Sequence, residues 1–484
     1  MGFIPFCDFS KEGMVIFMKK LLNNSLKPSN YNYILHFDEN KRIIYNTKTG
    51  AIDFVNKQTA PEFDIIMSQQ QYKSSNLVLY LTECGYLVPD GVDEALEVLE
   101  LGKKYSEVKN VLRLVILPAE ACNFNCPYCF IYKMRDNYME KGIYDAIYKK
   151  IKKFINGVEN GKAALLEIIW FGGEPTLAVN DIIVFMETLN SLLSNQKNKV
   201  KLISTIITNG YFLDFNMFKI LFENGISHFQ ITLDGDSESH DKVRCLNNGA
   251  PTFQVIYDNL TEILEKSDKN WNFTMQVRAN FLKSTIKNCE NLFDMFSNDF
   301  SEDSRFKIYF RPVSNFETEK SSIYEIASDI CELDDGLRVQ NMLTFTNPKK
   351  VFKEKVTNPL PQPSFTWCNS VQPNSHIIGW DGAVFSCDTM IVDKDKSIGF
   401  IDESGEIILN CNAKEWKESI FENQGNDNDL IKECLACKRL PVCMGGCIRV
   451  RKESDKNPCF WTDELIYEAL SEYAHIYCAE RQVT

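Results

Sequence analysis

A chain of 484 residues is longer than one ordinary core accommodates, and three domains is the expectation. Its 44% hydrophobic and 25% charged content is ordinary for a soluble enzyme, and a net charge of −13 argues against nucleic acid or anionic membrane as partners while leaving a basic or neutral peptide compatible. The opening MGFIPFCDFSKEGM has no basic stretch before an apolar run, Phe6 stands where a myristoylation pattern wants Ser or Thr, and no 18 consecutive residues are apolar, so the expectation is a cytoplasmic protein without a membrane span.

Residues 31 to 46 read as a hairpin, YNYILHF and RIIYN about Asp38-Glu39-Asn40, with a third strand AIDFV after Lys48-Thr49-Gly50. Helical spacing in APEFDIIMSQ and NLVLYLTECG, then GYLVP and a helix near 92–106, complete a domain over 1–107. From Leu112 the pattern alternates: LRLVILP, a helix near 138–156, LEIIWF, a helix near 181–193, KLISTIIT, a helix near 214–224, HFQITL, helix 252–266, FTMQVRANF, a helix near 284–296 and KIYFRPV. Six strands with helices between them need right-handed crossovers, which predicts an α/β fold, a partial (β/α)6 TIM-like barrel over 108–313 with ligands at the strands' C-terminal ends. Residues 314–363 read as a connector with one or two helices, and 364–460 as a cysteine-rich region. The terminal segment 461–484 carries an amphipathic helix near 462–480, expected to pack back on the barrel.

Seventeen cysteines, mostly clustered after residue 121 in a chain without export signals, point to metal rather than a disulfide framework. Just after the first barrel strand stands Cys122-Asn-Phe-Asn-Cys126-Pro-Tyr-Cys129. Three thiolates on one short loop can hold three irons of a [4Fe-4S] cube and leave the fourth open, whereas a zinc knuckle wants a fourth ligand close by. With this CxxxCxxC spacing after a strand, and Tyr128 directly before the third cysteine, the chain resembles the radical S-adenosylmethionine (SAM) superfamily, in which the open iron chelates the amino and carboxylate groups of SAM. Gly172-Gly173-Glu174-Pro175 after LEIIWF is similar to that family's GGEP segment, whose backbone and carboxylate contact the SAM ammonium. The resemblance also places Tyr128, Thr208, Asn209 and Asp234 in the SAM pocket, and Arg244 on the SAM carboxylate, which a guanidinium fork suits. Arg278 and Asn280 on the fifth strand either join them or are core-facing polar groups.

Downstream, Cys368-x13-Gly382-x4-Cys387 and Cys434-x2-Cys437-x5-Cys443-x3-Cys447-x11-Cys459 resemble the SPASM domain, which holds two auxiliary [4Fe-4S] clusters. By that resemblance Cys434, Cys437, Cys443 and Cys459 bind the outer cluster, with Cys478 as the alternative to Cys459 because the last gap is short for the family. Cys368, Cys387 and Cys447 bind the inner one, whose fourth position is either open or closed by Cys411. A zinc ribbon is the other reading of the Cys434 group. Asp388 matches an acidic proton acceptor of sulfatase maturases, or is a solvated loop residue. Cys7, Cys84, Cys245, Cys289, Cys331 and Cys478 otherwise read as small buried hydrophobes.

The whole implies a maturase of ribosomally made peptides with three [4Fe-4S] clusters and SAM, of the thioether-forming sactipeptide or ranthipeptide kind. Its N-terminal domain resembles winged-helix elements that hold a precursor's leader, or is a structural cap, and an electron donor such as flavodoxin or ferredoxin is implied. The alternatives are another SPASM maturase (sulfatase formylglycine-forming, carbon-carbon crosslinking or quinone-cofactor) and a non-catalytic iron-sulfur electron-transfer protein.

Overall fold

The computed structural model describes residues 25–39, 41–68, 75–131, 136–159, 161–196, 199–313, 326, 328–331, 360–366, 368–418, 429–453, 457–459 and 461–481. The expected connector, apart from a few residues at its edges and around 328–331, lies outside them, as do Cys7 and the side chain of Cys478. Two compact units result: one joins Met1–Ser106, Asn358–Trp367 and Gln424–Thr484, and the other Glu107–Thr357 and Cys368–Asn423.

The first unit opens with β1 (Leu26–Pro28), β2 (Asn32–Asp38), β3 (Lys41–Asn46), β4 (Ile52–Val55), α1 (Ala60–Ser68), α2 (Asn76–Glu83), β5 (Leu87–Pro89) and α3 (Glu94–Ser106). β2, β3 and β4 pair antiparallel in the order of the chain, with Ile34 opposite Ile44 and Ile43 opposite Phe54, while β1 pairs antiparallel with β5. Because side chains alternate across a strand, β3 feeds two cores. Ile44 packs with Phe63, Val78, Leu81 and Tyr86, and Ile43 and Tyr45 pack on the opposite side.

The second unit carries β6 (Val111–Ala119), α4 (Lys141–Gly157), β7 (Ala164–Gly172), α5 (Val179–Ser194), β8 (Val200–Thr208), α6 (Phe215–Glu223), β9 (His228–Thr232), α7 (Ser237–Val243), α8 (Phe253–Lys266), β10 (Thr274–Phe281), α9 (Ile286–Phe300) and β11 (Phe306–Pro312). β6 to β11 are all parallel neighbours in chain order, so the six-stranded partial barrel stands as expected. On β10 the alternation is clean: Met275, Val277, Ala279 and Phe281 are buried toward the helices, and Gln276, Arg278 and Asn280 are half-buried on the other face. The stretch Pro175–Ser194 is long and apolar enough to cross a membrane, but Ile182, Phe185, Met186 and Leu189 belong to the barrel core, which accounts for its apolarity.

Four strands the sequence reading lacked extend the same sheet: β12 (Ser375–Ile378), β13 (Ala383–Phe385), β14 (Gly399–Ile401) and β15 (Ile407–Leu409). β12 lies parallel to β6, with Ile377 opposite Val115, and the other three continue antiparallel from it. α10 (Cys411–Glu418) follows, and then the first unit resumes with α11 (Asp429–Leu435), α12 (Leu440–Cys443), α13 (Ile448–Glu453) and α14 (Asp463–Arg481). The expectation that the C-terminal helix packs on the barrel is corrected: Ile466, Ala469, Leu470 and Ala474 of α14 bury against Tyr33, Ile43 and Tyr45 of the three-stranded sheet. An aromatic edge joins the same contact, Tyr33 lying 5.5 Å from Tyr467 ring to ring.

Candidate active site

Cys122, Cys126 and Cys129 sit on the loop that leaves the C-terminal end of β6, the end at which parallel barrels place ligands. The loop is pinned by the segment after α7. Asn125 N donates to Cys245 O (3.0 Å), Asn247 N to Asn123 O (2.9 Å) and Asn247 Nδ2 to Cys122 O (2.9 Å), and Phe124 bridges Leu246. Sequence reasoning missed Asn247; the only local signal was the Asn247-Asn248-Gly249 turn. Burial pushes the Cys122 and Cys126 thiols up to about 12.

The end of β7 presses on the stem of that loop. Gly173 N donates to Ala119 O (3.0 Å) and Glu174 N to Ala121 O (2.8 Å). A Cβ on Gly173 would stand 2.1 Å from Ala121 O and 2.4 Å from Glu120 O, so only glycine permits this approach. Glu174 then turns inward, 1% exposed. Its Oε1 accepts from Thr176 N (3.0 Å), Thr176 Oγ1 (2.6 Å) and Thr208 Oγ1 (2.6 Å), and its Oε2 from Asn209 N (2.7 Å). Burial pushes this carboxyl up, against those four donors. The carboxylate therefore ties β7 to the end of β8, where Asn209 Nδ2 reaches Asn123 Oδ1 of the cysteine loop at 2.7 Å.

Asp234, after β9, gathers a second knot. Its carboxylate accepts from Tyr128 OH, from Asn280 N (2.8 Å) and from Asn280 Nδ2 (3.2 Å), and Arg244 Nη1 lies 3.9 Å away. Arg244 Nη1 also donates to Tyr128 OH at 2.8 Å and its guanidinium lies 5.5 Å from the Phe124 ring centre. Burial pushes the Asp234 carboxyl up, with the Arg244 guanidinium pulling against it, and burial holds the Tyr128 phenol protonated. Arg278 joins at the margin, its Nε donating to Asn280 Oδ1 at 2.8 Å. Tyr128, Asp234 and Arg244 are thus brought together, as are Glu174, Thr208 and Asn209.

In the first unit Cys434, Cys437, Cys443 and Cys459 line one cavity with Arg439, Asn457 and Trp461. Gly446, at φ +74°, is required there, because a Cβ would meet Pro458 O at 2.3 Å; its absence seats the Cys459 segment beside the Cys443 turn. Cys368 and Cys387 belong to the second unit and Cys447 to the first. Cys387 Sγ lies 3.1 Å from Thr389 Oγ1 and 3.7 Å from Oδ1 of Asp388, which is exposed.

Among the described residues no set of three or more His, Cys, Asp or Glu side chains converges on a single ion. A cube takes one thiolate at each of several irons instead, and two observations suit it at the Cys122 loop. Thiols held up to about 12 by burial need a coordinating cation to become thiolates. Asn123 Nδ2 and Arg244 Nε are buried donors without a partner, as an anionic group beside the loop requires.

Residues 116–278, which carry this rim, match the model described as the Radical SAM superfamily, a family that implies a [4Fe-4S] cluster and SAM. The chain is similar to the cysteine-type anaerobic sulfatase-maturating enzymes of Clostridium novyi (strain NT), 24% identical over 369 residues, and Clostridium perfringens (strain ATCC 13124), 26% over 368. These alignments cover 72% and 71% of this chain and 90% of each relative. Its fold is similar to that of native anSMEcpe, solved with bound AdoMet and Cp18Cys peptide, at a TM-score of 0.50 and 18% identity, covering 77% of this chain and 98% of that one. Anaerobic sulfatase-maturating enzymes are thus among the proteins it resembles.

Proposed function

We propose that this chain is a radical SAM enzyme, a cytoplasmic maturase of a ribosomally made precursor peptide, and that it forms a Cys thioether crosslink. The observation that carries the reading is the three-cysteine loop fixed at the barrel's C-terminal rim against Gly173. Cys122, Cys126 and Cys129 would hold the first cluster, which with SAM supplies a 5′-deoxyadenosyl radical able to take hydrogen from carbon. Gly172, Gly173 and Glu174 shape the wall facing the SAM ammonium, with Glu174 also locking Thr208 and Asn209 in place. Arg244, backed by Asp234 and Tyr128, meets the SAM carboxylate, and Arg278 extends the same polar wall. Cys434, Cys437, Cys443 and Cys459 would hold an outer auxiliary cluster, and Cys368, Cys387 and Cys447 an inner one whose fourth position is left to the substrate thiol. The three-stranded sheet would take the leader as an added strand, raising the local concentration of the segment to be modified. Flavodoxin or ferredoxin would supply electrons.

Anaerobically purified protein incubated with dithionite and SAM is expected to yield 5′-deoxyadenosine, and with the precursor peptide a product lighter by a pair of hydrogens. A colourless protein that leaves SAM intact refutes the proposal. The two curated relatives favour a second reading, formylglycine formation, in which Asp388 beside Cys387 would accept the proton. That product exchanges its cysteine sulfur for oxygen, so one mass spectrum separates the readings.

A further inference from the structure

The outer cysteine cavity has a feature that its cysteine spacing does not require. Arg439 Nε donates to Cys437 Sγ at 3.2 Å, and the Arg439 backbone N reaches the same sulfur at 3.4 Å. The guanidinium is fixed from behind: Nη1 donates to Trp461 O (2.9 Å) and lies 3.7 Å from Asp463 Oδ1, which accepts from Tyr33 OH at 2.5 Å. Tyr33 belongs to β2 of the three-stranded sheet. The sheet grips the neighbouring residue as well, for Lys438 Nζ donates to Asn32 O (3.2 Å) and Thr47 Oγ1 donates to Lys438 O. A second arginine, Arg451, is 5% exposed in the same unit, within electrostatic reach of Cys434, Cys443 and Cys447.

Hydrogen bonds and positive charge at a cluster's sulfurs stabilise the reduced, more negative state and so raise its potential. We infer that Arg439 raises the reduction potential of the outer cluster by donating to the Cys437 sulfur. β2 holds it there through Tyr33 and Asp463, so the sheet proposed to bind the leader and the cluster proposed to receive the substrate's electron share one chain of hydrogen bonds. This rests on the reading that Cys434, Cys437, Cys443 and Cys459 hold a cluster.

The test is a potentiometric titration, followed by electron paramagnetic resonance, of the full-length reconstituted protein and its Arg439→Gln, Arg439→Lys and Tyr33→Phe variants. The outer cluster's signal is identified as the component lost in Cys459→Ala. Arg439→Gln is expected to change the oxidised-to-reduced ratio at the wild-type midpoint by about tenfold toward oxidised, a fall of about 59 mV for a one-electron couple. Arg439→Lys, which keeps the charge without the fixed Nε donor, should fall between, and Tyr33→Phe should move the same way by less. An Arg439→Gln protein with full iron that titrates at the wild-type potential overturns the inference. If that variant loses iron, Tyr33→Phe decides, and an unchanged potential there overturns it too. Failure of the underlying reading looks different: Cys437→Ala and Cys459→Ala would then retain all the iron of the wild type.

Discussion

Glu174→Gln separates two roles for one buried carboxylate. Glu174 receives four hydrogen bonds at 2.6 to 3.0 Å from Thr176, Thr208 and Asn209, which together hold the ends of β7 and β8 in register above the cysteine loop. A glutamine whose oxygen keeps the Oε1 set turns its amide nitrogen toward Asn209 N–H, two donors face to face. The flipped amide instead orphans Thr176 N–H, since the threonine hydroxyls can rotate and a backbone N–H cannot. Either way one buried backbone donor loses its acceptor, at about 1–3 kcal/mol, and the surviving bonds lose their charge assistance. Relief of the buried charge, whose carboxyl is already pushed up by burial, offsets part of this, leaving about 2 kcal/mol of destabilisation. Urea unfolding of the anaerobic protein without SAM measures it. A wild-type midpoint in that titration, with loss of SAM affinity alone, would show that Glu174 acts only on SAM and refute the structural role argued here.

Gly173→Ala forces a Cβ into Ala121 O and Glu120 O, so about 1–3 kcal/mol of stability should go; iron bound per chain should drop as the loop shifts, which a colorimetric iron assay reads. Tyr128→Phe removes the hydroxyl shared by Asp234 and Arg244, leaving the guanidinium to turn. SAM affinity should fall several-fold at unchanged iron content, measured by equilibrium dialysis. At Asp236, burial pushes the carboxyl up, but donors from Asn291, Asn288 and Ser239 win and hold it below the usual range. Its stabilisation is present above the ordinary aspartate value and lost as pH falls through the folded one, so Asp236→Asn should flatten the acid limb of the stability profile. Leu470→Ala opens a hole against Tyr33, Ile43 and Tyr45 and should cost about 2–5 kcal/mol. The loss should appear as faster hydrogen exchange in β2 and β3 with β6 to β11 unaffected.

What the sequence made legible was whatever is local. The six barrel strands announce themselves because each is a short apolar run followed by a helix-period segment, and the chemistry of the first loop is written in the spacing of Cys122, Cys126 and Cys129. The hairpin Tyr33 to Tyr45 is legible as two short apolar runs about a turn, and the second reads as a continuous run because β3 is buried on both faces. β12 was not legible, because Ser375–Ile378 is four residues long and its partner, Arg113 to Ile116, lies far away along the chain. Nor was the role of Asn247, since an asparagine in a turn looks the same whether it points at solvent or at Cys122 O.

The C-terminal helix shows where the limit lies. Its amphipathic pattern reveals that Ile466, Ala469 and Leu470 must be covered, and cannot reveal by what. The cover turns out to be β2 and β3, and β2 also holds Lys438 through Asn32 and, by way of Tyr33 and Asp463, Arg439 beside Cys437. One consequence is experimental: removing residues 1 to 105 would strip the apolar face of α14 and the brace behind Arg439 together, so lost peptide binding in such a truncation could not be assigned to a leader site. Point substitutions on the sheet's edges, which leave Tyr33, Ile43 and Tyr45 in place, are the changes that isolate it.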